Sequence, residues 1–242
     1  MLKNLFGNRR KEVEMQSSNE LHPRVSSQLT DVRRDFPTFI PSIIFDVGAN
    51  IGQTTDEYLS FFTESHVFCF EPSGSTFELL QEHFSGSSRV HCFNFALSNV
   101  TGSAQLEYTD SSLLRRLVSG VHDDFFTGKT EKVALTTLDE FCAGHHIQTV
   151  DFLKIDTEGH EISVLEGGER LLESGGIQII ELELGMNPEN LRHARFEDAK
   201  ELLEQKGYRL FRIYEQTEEW PTKQPHLRRV NAIFLSNAMI AL

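Results

Sequence analysis

The sequence predicts a doubly wound α/β fold, and three observations point to it. From Ile40 onward, short apolar runs of strand length alternate with amphipathic stretches of helix length. That is the pattern of a mostly parallel sheet with helices on both faces and right-handed crossovers. The first run leads into a glycine-containing turn, IIFDVGANIGQTT over residues 43–55. Polar and acidic residues then recur at the carboxyl ends of the runs, where open sheets of this kind bind ligands.

The elements follow in order. Residues 43–47 form the first strand, with Ile43, Ile44, Phe45 and Val47 around one acid, Asp46. Gly48 and Gly52 permit positive φ or close backbone approach, and Asn50 tolerates left-handed geometry. Backbone N–H groups at such a turn can hold a polar ligand. Residues 53–62 are a helix with Thr54 or Thr55 as N-cap. HVFCF at 66–70 is the second strand, and 75–84 is a helix with Phe77, Leu80 and Phe84 on one face. Residues 89–95 are the third strand, and VDFLKI at 150–155 is the fourth. A helix over 161–172 is closed by Gly175 and Gly176, and 177–182 is the fifth strand. A helix at 196–206 ends at Gly207, and strands six and seven occupy 208–213 and 230–235. Between those two strands, 217–229 contains Pro221 and Pro225 and reads as a loop.

Two regions stand apart. Residues 1–38 are polar and basic in patches, which predicts a flexible arm or a loosely docked helix ahead of one domain over 39–242. Residues 102–137 interrupt the alternation with two extra strand-like runs, 104–108 and 132–136. They are expected to pair as a β-hairpin that closes over a site as a lid, with 109–130 between them; a surface loop is the other reading.

Composition narrows the function. A formal charge of −13 over 242 residues argues against broad electrostatic binding of nucleic acid or anionic membrane. No stretch is long and apolar enough to cross a bilayer, and the N-terminus lacks the apolar core of a secretory signal. Cys69, Cys92 and Cys142 have no metal-type spacing and an odd count, so they read as thiols of a cytoplasmic, reducing compartment.

Glu71 ends the second strand in FCFEP, roughly twenty residues past the glycine turn, where an acid accepts hydrogen bonds from both ribose hydroxyls of an adenosine. Ala96 and Leu97 follow the third strand, where an adenine ring would lie. The fourth strand ends in Lys154, Asp156, Thr157, Glu158 and His160, with Thr157 as a helix N-cap; the fifth ends in Glu181 and Glu183. The turn reads GANIG, not GxGxxG. A nicotinamide-dependent oxidoreductase and a non-catalytic binding module both remain open on these residues alone.

Four segments together are more specific. FDVGANIG, FEP, TTLDEF at 136–141 and DFLKIDTEGHEISVLEGG at 151–168 resemble the FkbM-type S-adenosylmethionine-dependent methyltransferases, over about residues 43–235. The resemblance implies a class I methyltransferase (Rossmann-like) fold, a seven-stranded doubly wound sheet whose last strand is antiparallel. It also implies O-methylation of a hydroxyl on a sugar, a glycan or a natural-product small molecule, and it counts against the oxidoreductase. Carried onto this chain, Asp46, Gly48, Ala49, Asn50 and Gly52 would hold the methionine part of S-adenosylmethionine. Glu71 with Pro72 would hold the ribose, Ala96 and Leu97 would border the adenine, and Asp156 would lie near the cofactor's amino group and the transferred methyl. An alkyl hydroxyl is a poor nucleophile at neutral pH, so a base must take its proton. Asp156, His160 and Glu181 are the catalytic candidates, from a wider set that includes Glu158 and Glu183; His160 is the preferred type by intrinsic pKa. Lys154 is expected to pair with a strand-five acid. The acids would suit a hard cation, but no metal ligand set is assigned.

Overall fold

The computed structural model describes residues 26–109, 115–117, 126–190, 192–220 and 222–241. Its elements, in chain order, begin with α1 (Ser27–Asp35), β1 (Ile43–Val47), α2 (Gln53–Phe61), β2 (His66–Phe70), α3 (Gly74–His83) and β3 (Val90–Phe93). Next come β4 (Ala96–Ser98), β5 (Gly102–Thr109), β6 (Arg115–Leu117), β7 (Phe126–Thr137) and α4 (Leu138–Gly144). The chain continues through β8 (Val150–Ile155), α5 (Glu161–Glu166), α6 (Glu169–Glu173) and β9 (Ile177–Gly185). It closes with α7 (Phe196–Gln205), β10 (Tyr208–Glu219), β11 (Gln224–Ser236) and α8 (Asn237–Ile240).

Seven strands form the main sheet in the order β10-β11-β9-β8-β1-β2-β3. β8, β1, β2, β3 and β9 run parallel, while β11 is antiparallel to both β9 and β10. The last strand is therefore the antiparallel one, as expected. Strand alternation divides the side chains between two cores. Phe45, Val47, Leu153, Ile155, Ile180, Leu182 and Phe234 pack against α4, α5, α6 and α7. Ile44, Phe152, Ile179 and Ile233 pack against α1, α2 and α8 on the other face. On that second face, the register places Asp46 beside Lys154 and Lys154 beside Glu181. The apolar face thus turns polar as the strands approach their carboxyl ends.

Several local expectations are corrected. The third strand stops at Phe93, and Ala96–Ser98 joins a second, four-stranded sheet in the order β4-β7-β5-β6. In that sheet β5 and β7 pair antiparallel as the expected hairpin; positions 110–114 and 118–125 of the insertion lie outside the described residues. The helix expected over 161–172 breaks into α5 and α6 at Gly167 and Gly168. A Cβ on Gly167 would meet the Ser98 carbonyl oxygen at 1.9 Å, so this step lies against β4. Neither Thr54 nor Thr55 caps α2: the N-cap is Gly52 in left-handed geometry, and Thr55 Oγ1 instead donates to Asp46 Oδ2 (2.7 Å). The stretch 217–229 is not a loop, because β10 and β11 extend through most of it as a long hairpin.

Within the described part of the N-terminal region, α1 is firmly packed, with Leu29 and Val32 buried in the second core. Gln28 Nε2 donates to Glu181 Oε1 (3.2 Å). Positions 1–25 lie outside the described residues. Among the described residues, no helix is long and apolar enough to cross a membrane.

Candidate active site

A cavity of about 520 Å³ opens at the carboxyl ends of β1, β8 and β9 and is roofed by Leu106 and Leu117 of the second sheet. This size suits a bound small molecule. One half is built from the first strands of the sheet. Gly48, Ala49 and Asn50 form its floor, with Glu71 and Pro72 beside them and Ala96 and Leu97 above. The turn depends on backbone that other residues rarely adopt: φ is +84° at Gly48 and +52° at Asn50. Glu71 fixes it, since Asn50 N–H donates to Oε2 (3.1 Å) and Ser73 N–H to Oε1 (2.9 Å). Asn94 Nδ2 in turn donates to the carbonyls of Glu71 and Pro72 (2.9 and 3.0 Å).

Not every expected residue reaches this half. Gly52 and Asp46 do not line the cavity. Gly52 packs under Phe84, where a Cβ would meet the ring at 2.3 Å. Asp46 is sealed behind the turn; burial raises its pKa, against the pull of Lys154 Nζ at 3.9 Å.

Asp156 and Lys154 occupy the middle of the floor. Lys154 Nζ donates to Asp156 Oδ2 at 3.0 Å, one residue past the end of its own strand, and lies 3.9 Å from Asp46 Oδ1 of β1; the expected strand-five acid, Glu181, acts on it only through space. Burial alone would raise the Asp156 pKa, but the adjacent ammonium outweighs it and holds the carboxyl below the usual range.

The other half is lined by Glu158, Glu183, Arg192, His193, Trp220, Arg228 and Arg229. Glu158 has φ +55°, a left-handed conformation unusual for its type, followed by Gly159 at +105°. The loop is held there by Glu161. Its Oε1 accepts from Thr157 N–H, Thr157 Oγ1 and Gly159 N–H (each 3.0 Å), and its Oε2 accepts from Ala194 N–H (2.9 Å). One buried carboxylate thus ties the β8–α5 loop to the segment carrying His193. Thr157 is not the helix N-cap; His160 holds that position. Burial pushes the Glu158 carboxyl up, against the opposing influence of His193.

His193 Nε2 lies 2.7 Å from Glu183 Oε2 and 3.7 Å from Glu158 Oε2, while Asn190 faces Nδ1 at 3.0 Å. Glu183 Oε1 is paired with Arg229. Donor atoms of Glu158, Glu183 and His193 come within 4.8 Å of one another, a spacing that a cation could bridge. Arg229 already supplies counter-charge to Glu183 there.

The two remaining catalytic candidates are drawn apart. His160 lines the cavity, but its Nε2 is bonded to Ser98 Oγ of β4 (2.9 Å), on the side of Ala96 and Leu97; burial lowers its pKa. Glu181 does not line this cavity. It faces an adjoining polar chamber of about 230 Å³ beneath α1, shared with Gln28, Tyr58 and Asn231. Burial pushes its carboxyl up to about 7. Sequence reasoning passed over His193, Arg229 and Trp220, and no local motif marks them; the extension of β9 to Gly185 and the β10–β11 hairpin bring them in.

Comparison with known proteins gives a consistent picture. A family model described as a methyltransferase FkbM domain matches residues 46–210. The hexuronic acid methyltransferase AglP of Haloferax volcanii is 28% identical over 150 residues, which cover 62% of this chain and 59% of the relative. The 2-O-methyltransferase NoeI of Sinorhizobium fredii is 22% identical over 142 residues, covering 54% of this chain and 58% of that protein. The chain therefore spans just under three fifths of the curated relatives it matches. The crystal structure of the methyltransferase FkbM from Methylobacillus flagellatus superimposes with a TM-score of 0.53 at 14% identity, covering 79% of this chain and 43% of that one, so the fold is shared.

Proposed function

The chain belongs to the FkbM methyltransferase family, and on that premise we propose that it transfers a methyl group from S-adenosylmethionine to a hydroxyl of a sugar or glycan. One observation carries the proposal: a single cavity has a nucleoside-type half and a polar half bearing a raised-pKa carboxyl, with Asp156 between them.

The residues fit the cofactor. The Gly48 turn has no room for a side chain, since a Cβ would strike the Asp156 carbonyl oxygen at 1.9 Å. Glu71 lies where ribose hydroxyls can donate to a carboxylate already oriented by two backbone N–H groups. Leu97 and Leu106 offer apolar surface to a planar base. Asp156, kept ionised by Lys154, suits the cofactor's ammonium. Beneath α1, the buried Gln28 Oε1, Asn231 Oδ1 and Tyr58 OH lack hydrogen-bond partners among the described residues and face the chamber that adjoins Asp156, so a zwitterionic tail would find partners there.

When bound, S-adenosylmethionine supplies a methyl already activated on a sulfonium. The chain's own work is orientation and proton removal, and orientation contributes up to roughly 7–11 kcal/mol in well-aligned systems. Glu158 is the base that fits best. It stands in the polar half, its pKa is raised toward the working range, and its backbone is held in a strained conformation by Glu161. It would take the hydroxyl proton as the acceptor oxygen bonds to carbon. His193, itself held against Glu183, lies 3.7 Å from the Glu158 carboxyl, and His160, turned toward Ser98, is the second candidate. A sugar acceptor is supported by AglP, whose name specifies a hexuronic acid.

The test is direct. Calorimetry should show micromolar binding of S-adenosylmethionine, and a panel of methyl glycosides with labelled cofactor should show transfer. Absence of cofactor binding by folded protein would overturn the proposal.

A further inference from the structure

We propose that Trp220 is a stacking platform for the pyranose ring of the acceptor; this rests on the sugar O-methyltransferase reading above and adds the residue that grips the sugar. Trp220 is the chain's single tryptophan, it is 60% exposed, and it lines the polar half of the cavity. A single exposed apolar side chain is ordinary on a surface; this one is held in place. The β10–β11 hairpin runs past the end of β9, whose last residue, Gly185, pairs with Arg229. Beyond that point the hairpin is anchored by Glu219, which is 2% exposed and accepts from Arg228 Nη1 (3.0 and 3.1 Å) and Asn187 Nδ2 (2.9 Å). The Arg228 carbonyl accepts from Met186 N–H (2.9 Å) and Asn190 Nδ2 (3.1 Å), which binds the hairpin to the segment carrying His193. The Arg228 guanidinium sits 5.8 Å from the indole centroid, a cation–π contact that orients the ring.

A buried acid, an arginine and two asparagines thus support an aromatic ring that is left exposed at the mouth of the site. A pyranose has the matching surface, with a face of C–H bonds for the electron-rich indole and a rim of hydroxyls for the charged residues around it. Glu158, Glu183, Arg192 and Arg229 provide that rim in the same half of the cavity. A flat phenol would need an apolar slot on its second face, and the lining of this half offers mostly charged groups.

The single tryptophan supplies the readout. The protein saturated with S-adenosylhomocysteine is titrated with methyl β-glucopyranoside and methyl β-glucopyranosiduronate, following intrinsic fluorescence and saturation-transfer NMR. The expected result is a saturable fluorescence change, with the strongest NMR transfer to protons of one sugar face. Trp220→Ala should weaken glycoside binding about tenfold, Trp220→Phe should retain most of it, and S-adenosylhomocysteine affinity should hold in both. Glycoside binding that is equal in wild type and Trp220→Ala would overturn the platform and leave the sugar reading standing. Cofactor binding without binding of either glycoside, or binding of catechol in their place, would overturn both.

Discussion

Gly48 and Asp156 are packed so closely that a Cβ on the glycine would lie 1.9 Å from the Asp156 carbonyl oxygen. Asp156 N–H donates to Val47 O (2.9 Å), so the end of β8 is joined to the turn that leaves β1. The same contact sets the cavity floor and brings the centre of the site beside the turn. Gly48→Ala combines this clash with a φ of +84°. It is expected to lower stability by about 2–4 kcal/mol and to abolish cofactor binding. Urea denaturation checks the first expectation and calorimetry the second; wild-type values in both would show that the turn relaxes freely.

Glu71 is expected to act on cofactor affinity alone. Its carboxylate accepts from Asn50 N–H and Ser73 N–H, and in the proposed function it also accepts from the ribose hydroxyls. Glu71→Ala should therefore weaken S-adenosylmethionine binding by about 1–3 kcal/mol, measured by calorimetry, with the fold retained by circular dichroism. Unchanged affinity would remove Glu71 from the site.

Glu158→Gln is expected to lower turnover by roughly 10²–10⁴-fold, while cofactor affinity stays at the wild-type value. Because burial raises the Glu158 pKa and the base must be ionised, activity should fall as pH drops through that raised value. The acidic limb of the rate profile should lie above the ordinary carboxylate range and disappear in the variant. A variant with full turnover would transfer the role to His160, for which His160→Ala is the matching measurement.

Glu181 makes a prediction about stability. Its folded pKa is about 7, against 4.5 for the free side chain, so the folded protein binds the proton more tightly than the unfolded chain. Stability from this group is full below about pH 4.5 and declines as pH rises to about 7. The loss over that window is on the order of 3 kcal/mol. Glu181→Gln keeps an acceptor for Gln28 Nε2 and cannot ionise, so it should be more stable than wild type at pH 8 and about equal to it at pH 4. Urea titrations at the two pH values provide the comparison. Equal stability at pH 8 would show that α1 leaves the carboxylate hydrated.

Local patterning made the half of the cavity built on the glycine turn legible. The turn at Gly48, Asn50 and Gly52, the acid at Glu71 and the Ala96–Leu97 pair are set by chain-neighbour chemistry, and all but Gly52 line the cavity. The sheet could be anticipated for the same reason, since each parallel strand carries its own apolar run. The polar half was only partly legible. Asp156, Glu158 and His160 share one strand end, but which of them faces the polar half of the cavity depends on where Glu161 pins the loop and on the bond from His160 to Ser98. The prolines near 217–229 pointed to a loop, yet pairing against β9 and across the hairpin carries strand geometry through most of that segment.

From residue order alone came the alternating fold, the glycine turn, the acid at the end of the second strand and the resemblance to a methyltransferase family, because those features depend on residues close in the chain. The tertiary structure decided the division of labour among the acids. It placed Glu181 under α1, left Asp46 behind the turn, and gathered Glu158, Glu183, His193 and Trp220 around one opening. Those residues come from β9, two loops and a hairpin whose positions are set by long-range pairing and burial, and no spacing within the chain encodes that meeting.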